Sequence, residues 1–229
     1  MEYLKRKEKL LRINNYDIIL IDKPKDTLDI NNNTHFINQL RILAANGFGV
    51  KIENKSIEGI YKHVIEVDSL IICYLEAKPI AFASAKIIKK ENIIFLCGIV
   101  VNKKNQKKGI ATLLMETLYN HHKKPMIALT TQNPVMYDFL RKFCKEIFPS
   151  PKQNKIPKDL QKIGYKLIKD RNGIFNPDTF IIRNLYPKCR YEKIPQSKNL
   201  EINQWFDKCL RIRNRTSKDG ILLIGKVKD

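Results

Sequence analysis

The 229 residues carry 43 Lys and Arg against 23 Asp and Glu, a formal charge of +20, and 43% of them are hydrophobic. That length and apolar share suit one large folded domain, or one domain with a modest extension, and exclude wholesale disorder. The positive field attracts anions such as nucleic acid, acidic proteins or phosphate-bearing cofactors, but the lysines are spread along the chain rather than blocked together.

The elements follow in chain order. Residues 1–15 are charged and read as a short helix or an arm. YDIILID (16–22) reads as a strand ended by Lys23-Pro24. Asn32 or Asn33 caps a helix over 34–45, with Phe36, Ile37, Leu40 and Leu43 at helical spacing and Asn46-Gly47 closing it. A weaker helical pattern follows near 54–63. SLIICYLEAK (69–78), PIAFASAKII (79–88) and NIIFLCGIVV (92–101) are three β-type runs. Their connections are too short for a parallel crossover, so the pattern predicts antiparallel neighbours.

A helix is expected over 108–122, with Ile110, Leu114 and Leu118 on one stripe and His121 to Lys124 in the last turn. MIALTTQ (126–132) reads as a strand parallel to 92–101, reached by that helical crossover. Asn133-Pro134 reads as N-cap and first position of a helix over 134–145. PSPKQNKIPKDLQ (149–161) reads as a loop. DTFIIRNLY (178–186) and ILLIGKV (221–227) read as the last two strands, with a helix over 200–210 between them, capped by Asn199. In RIRNR, a strand would place Arg211, Arg213 and Arg215 on one face, turned to water or to an anionic acceptor.

Cys73, Cys97, Cys144, Cys189 and Cys209 form no CxxC pair and are odd in number, which fits reduced thiols in a cytoplasmic protein. His121 and His122 are adjacent while His35 and His63 stand apart, so no metal-ligand spacing is present and no metal is expected. The apolar runs fall short of the roughly 20 residues that a spanning helix requires, and MEYLKRKEKLLRINNY lacks the apolar centre of a signal peptide. The expectation is a basic, soluble, cytoplasmic protein with no membrane partner.

The informative stretch is NQKKGIATLLMETL (105–118), a glycine turn between a strand and an amphipathic helix. Gly109 lets the main chain approach a ligand, Ala111 keeps the next turn slim, and the free N–H groups of a helix start bind phosphate. Lys107 and Lys108 add charge. With Val101 five residues ahead of Gln106, and Gly109 and Ala111 after it, the stretch resembles the coenzyme A signature of the Gcn5-related N-acetyltransferases, Gln/Arg-x-x-Gly-x-Gly/Ala. Lys103 stands where many members have proline. TTQNPVMYDFLRK (130–142) resembles the family's next motif, and the likeness covers about 69–145.

That resemblance implies an α+β fold, a three-layer arrangement with a mixed, mostly antiparallel central sheet flanked by helices and a C-terminal extension. Residues 1–15 would be an arm, 16–148 the acetyl-CoA-binding core, and 149–229 a part completing the sheet. It implies acetyl-CoA as cosubstrate, its diphosphate on the amides of Gln106, Lys107, Lys108, Gly109, Ile110 and Ala111. Its pantetheine arm would lie along Ile99, Val100 and Val101, with Asn133 facing it where the two central strands splay, and Gly98 would relax the strand there. An acceptor amine would attack the thioester directly in a ternary complex. The usual tyrosine acid is replaced by Leu140, and Tyr137, one turn earlier, is the candidate catalytic acid. No carboxylate lies within 92–101, only Glu91 before it, so the base is open; Cys97 reads as a core thiol. Two other readings stand beside this acyltransferase: a nucleic-acid-associated protein or modifying transferase, and a coenzyme A binder without activity.

Overall fold

The computed structural model describes residues 8–13, 15–28, 34–49, 56–152, 155–191, 193–212 and 217–228. The Asn32 or Asn33 cap and the Arg213 and Arg215 face lie outside them. The chain divides into two compact units, residues 1–87 with 96–123, and residues 88–95 with 124–229. Its strands form a mixed, mostly antiparallel sheet flanked by helices, the α+β class that the sequence implies.

The first unit contains β1 (Glu8–Ile13), β2 (Tyr16–Asp22), the single turn α1 (Pro24–Thr27), α2 (Thr34–Phe48), α3 (Ser56–Val64), β3 (Ser69–Leu75), β4 (Lys78–Ile88), most of β5 (Ile93–Val101) and α4 (Ile110–His122). The strands follow the order β1-β2-β3-β4-β5. β1 pairs antiparallel with β2, β2 with β3, and β3 with β4, the last with a register shift after Cys73. Ile19, Ile21, Leu70, Ile72, Phe82 and Val100 line one face of these strands and bury Phe36, Leu40 and Leu43 of α2 and Val64 of α3. α4 packs on β3 without joining that cluster, so it covers the opposite face, where Ile18, Leu20, Ile71 and Cys73 are buried. Two covered faces explain why IILI and LIIC are continuous apolar runs instead of alternating ones.

The second unit contains β6 (Met126–Thr131), α5 (Val135–Phe143), β7 (Cys144–Phe148), α6 (Lys158–Ile168), β8 (Ile174–Phe175), β9 (Ile181–Arg183), α7 (Leu200–Leu210) and β10 (Gly220–Val227). β10 is its spine. One edge of β10 pairs antiparallel with β6; the other pairs with β9 near Gly220 and with β7 from Ile224 onward. Residues 220–225 of β10 are all buried, as a central strand requires.

Several sequence expectations are corrected. The charged start of the chain contains an edge strand, β1, because β2 supplies its hydrogen-bond partners; Leu10 on it is 56% exposed. α2 runs three residues past the expected end at 45, and Gly49, at φ +68°, closes it in place of Asn46-Gly47. The helix after Asn133 stops at Phe143, and 144–148 extends as β7 because β10 offers a pairing edge. The stretch 149–161 is not all loop: α6 starts after Pro157 and buries Leu160, Gly164 and Ile168, a spacing of four. The strand expected over 178–186 shrinks to three residues, since Phe180 (φ 58°) and Asn184 (φ 55°) are left-handed and bracket it. Arg211 is no strand residue; it caps α7 at φ 51°, its N–H on the Asp207 carbonyl.

None of the five cysteines is in a disulfide, and burial pushes Cys73 up to about 11, with the Asp17 carboxylate adding to it, and Cys144 up to about 12. In the unfolded chain thiols ionise from about pH 8.5. Both groups are raised by folding, so their contribution is complete below that pH and is lost as pH rises through the folded values. Urea midpoints are therefore expected to hold steady to about pH 8 and fall between 9 and about 11, with a shallower fall in Cys73→Ala; an unchanged slope in that variant counts against the assignment. Among the described residues Ser84 Oγ is a buried side-chain polar atom without a hydrogen-bond partner. An unmet buried hydroxyl costs about 1–3 kcal/mol. Ser84→Ala is expected to stabilise the protein by roughly 1 kcal/mol in the same assay; a loss of stability would show that the hydroxyl is satisfied in solution.

Candidate functional site: the turn between β5 and α4

β5 ends at Val101, and the next residues are pinned one by one. The Asn102 N–H donates to the Ile80 carbonyl at 2.8 Å, and the Asn102 side chain accepts from the Lys104 N–H at 2.8 Å. Residues 103–105 make one tight turn, closed by the Asn105 N–H on the Asn102 carbonyl at 2.9 Å. Gln106 then turns back: its side-chain amide donates to the Gly47 carbonyl at 3.1 Å and the Val101 carbonyl at 3.0 Å. The Asn46 side chain accepts from the Lys103 N–H at 3.0 Å. The last turn of α2 thus braces the start of the glycine turn.

Gly47 makes that approach possible. A Cβ there would stand 2.5 Å from Val100 Cγ1 and 3.0 Å from the Val101 carbonyl oxygen. The same test at Gly98 finds only Ser84 Oγ at 3.6 Å and Phe82 Cε2 at 4.0 Å, so packing does not demand a glycine in mid-strand.

Past Gln106 the backbone rises into left-handed geometry at Lys107 (φ 65°) and again at Gly109 (φ 82°) before α4 begins at Ile110. Space is open around Gly109, so the dihedral, not crowding, selects glycine. The consequence is a helix start whose cap position has no side chain. Gly109 gives the leading N–H groups of α4 no capping acceptor, and the first turn holds no acidic residue. The leading amides thus have no capping side chain at the positive end of the helix dipole. Lys108 is partly spent, its ammonium donating to Asn105 Oδ1 at 3.0 Å, while Lys107 is exposed. Ile99 and Val101 are half-buried and Val100 belongs to the core. Ile99 to Val101 and Gln106 to Ala111 all lie in the first unit.

Residues 50–144 match the family model described as the acetyltransferase (GNAT) family. That segment is similar to the GNAT acetyltransferases. Among solved structures, the chain is similar to a candidate acetyltransferase of Pyrococcus horikoshii at 17% identity and TM-score 0.44, covering 68% of this chain and 58% of that one. It is similar to an aminoglycoside 6'-acetyltransferase type Ii at 13% identity and TM-score 0.49, covering 92% and 97%. It is similar to the ribosomal-protein-S18-alanine N-acetyltransferase of Escherichia coli at 12% identity and TM-score 0.42, covering 93% and 95%. A search of curated proteins finds no match. GNAT proteins use acetyl-CoA, and the uncapped, acid-free helix start after β5 has the donor set that a diphosphate needs.

Asn133 and Tyr137 belong to the second unit. Asn133 Oδ1 accepts from the Val135 N–H at 2.9 Å, so its side chain caps α5, and its own N–H donates to Thr131 Oγ1 at 2.8 Å. The Tyr191 hydroxyl hydrogen-bonds to the same side chain; burial raises that phenol and the Asn133 contact works against the rise. Gln132, 2% exposed, spends its amide on the Ser217 and Asp219 carbonyls at 3.0 and 2.7 Å and accepts from the Arg190 N–H at 3.0 Å. Neither Gln132 nor Tyr191 stands out in the sequence; the TTQNP motif that contains Gln132 was the one available signal.

Tyr137 is 7% exposed and lies edge-on to Trp205, with ring centroids 5.6 Å apart. Burial raises its phenol, opposed by a hydrogen bond from the Ser150 side chain and by Arg141. The group stays protonated at neutral pH, as a proton donor must, yet it is packed as a core residue is. Glu91 is paired with Lys166 at 2.6 Å, a contact that draws its carboxyl below the ordinary range and makes it a weaker base.

The brace is testable. Gly47→Ala forces Val100 or the end of α2 to move and is expected to cost about 1–3 kcal/mol, as overpacking does, in urea unfolding. An unchanged midpoint would show that the α2 end yields freely.

Proposed function

We propose that the protein is an N-acetyltransferase that moves an acetyl group from acetyl-CoA to an acceptor amine by direct attack in a ternary complex. The observation that carries this is the left-handed Gly109 turn, which leaves the first amides of α4 without a capping side chain or an acidic neighbour. The match of residues 50–144 to the GNAT family model supports the reaction class. The amides of Ile110 and Ala111 and the Lys107 ammonium would hold the diphosphate, while the main chain of 99–101 would run beside the pantetheine arm. Gln106 acts indirectly by keeping the turn on its brace.

The thioester supplies an acyl group at a carbonyl that only needs polarising and a leaving thiolate that needs a proton. The acceptor must arrive as a free amine, and its lone pair forms the new C–N bond as the C–S bond breaks. Tyr137 is the proposed proton donor, its phenol held neutral by burial. Thiol catalysis is not invoked: Cys97 is a partly buried thiol packed against the core of the first unit.

Acetyl-CoA is expected to raise the melting temperature in proportion to the logarithm of its concentration. Gly109→Ala places a side chain at φ 82° and is expected to weaken acetyl-CoA binding at least tenfold in calorimetry, about 1.4 kcal/mol. No heat with acetyl-CoA on folded protein would overturn the proposal. Release of free coenzyme A with a panel of amines then reads the transfer step, and Tyr137→Phe should lower turnover without weakening acetyl-CoA binding.

A further inference from the structure

The far end of α4 presents a second group of polar side chains that acetyl transfer does not use. Asp22 closes β2, and Ser69, its register partner, opens β3. His121 and His122 form the last turn of α4, which ends at Lys123 in left-handed geometry. His121 Nε2 lies 2.9 Å from Asp22 Oδ2 and 3.1 Å from Oδ1. Ser69 Oγ lies 2.8 Å from Asp22 Oδ1 and 2.8 Å from His122 Nε2. One ligating atom from each of Asp22, His121 and His122 falls within 4.8 Å of the others.

A Ser, a His and an Asp in contact invite a hydrolase reading, and the connectivity rejects it. In a nucleophilic triad the imidazole stands between the hydroxyl and the carboxylate. Here the hydroxyl stands between the carboxylate and His122, and Ser69 is fully buried, closed to any substrate. Its place is that of an outer partner that fixes the carboxylate and one ring, the role such groups play around metal ligands.

We propose that Asp22, His121 and His122 form a binding site for a divalent transition ion of the zinc class. Two donors of one tetrahedral zinc stand roughly 3.3 Å apart, given bonds of about 2.0–2.1 Å, so atoms within 4.8 Å of one another must draw closer by at most about 1.5 Å. The rings of His121 and His122 are 74° apart in plane with centroids at 4.6 Å, which lets neighbouring residues aim two lone pairs from different directions. Two imidazoles and one carboxylate suit zinc, nickel or cobalt and not magnesium or calcium, which take oxygen ligands. The negative end of α4 favours a cation at this spot. Asp22 and His121 are partly exposed, so the ion has an entry path and room for a water ligand. Bound there, the ion would tie the end of α4 to the β2–β3 pair within one unit.

The proposal is independent of acetyl transfer, and its test is a binding one. Full-length protein stripped with a chelator is titrated with zinc chloride by calorimetry and by thermal melting. The expected result is saturable binding of one ion with a raised melting temperature, and a ligand-field absorption band when cobalt(II) replaces zinc. Asp22→Ala, His121→Ala and His122→Ala should each weaken zinc at least tenfold while leaving acetyl-CoA binding unchanged. Absence of saturable zinc binding, equal affinity in wild type and all three variants, or magnesium binding as tightly as zinc would each overturn the proposal.

Discussion

The diphosphate site proposed at the start of α4 works only if its amides point outward from a turn that does not move. Two hydrogen bonds from one side chain impose that constraint here: the Gln106 amide to the carbonyls of Gly47 and Val101. They join the end of α2, the end of β5 and the turn before α4 into one piece. Each such bond contributes about 1 kcal/mol net, less where water competes. The larger return is geometric, since a preorganised set of donors binds without first being ordered. The rest of the site follows: Asn46 takes the Lys103 N–H, Gly47 lets the helix close on Val100, and Gly109 turns the chain into α4.

The second unit is organised by a different polar centre. Gln132 is almost fully buried and satisfied on both its oxygen and its nitrogen, by strands of chain nearly sixty to ninety residues away in sequence. A buried amide is costly unless every group is paired. Its pairing fixes where 189–191 and 217–219 run, and this in turn brings Tyr191 to Asn133. Asn133 therefore performs two jobs with one side chain, capping α5 and receiving a tyrosine. Tyr137 sits inside the same network of elements, held by Trp205 from α7.

The two ends of α4 differ in charge. Its N-terminal turn is bare of acid, while its C-terminal end carries two histidines beside a carboxylate. The helix dipole favours this assignment at both ends: negative charge is welcome where N–H groups are free, positive charge where carbonyls are free.

Most of the element list is legible in the chain, because apolar periodicity and breaker residues are local properties. The strands 69–75, 78–88, 93–101 and 126–131, the helix 200–210 and the glycine turn were all legible that way. So was the likeness to the GNAT family, which the model match over residues 50–144 bears out, since its signature is a short contiguous pattern of Val101, Gln106, Gly109 and Ala111. Tertiary structure alone decided the rest. β1 and β7 are strands because β2 and β10 give them partners, which no local propensity records. Gly47 reads as a helix stop in sequence, but it is a contact glycine whose meaning depends on Val100, more than fifty residues away. Asp22 meets His121 across 99 residues, so the cluster has no spacing to find. Short-range pattern selects what an element is; long-range pairing and close approach decide which side chains meet, and chemistry depends on the second.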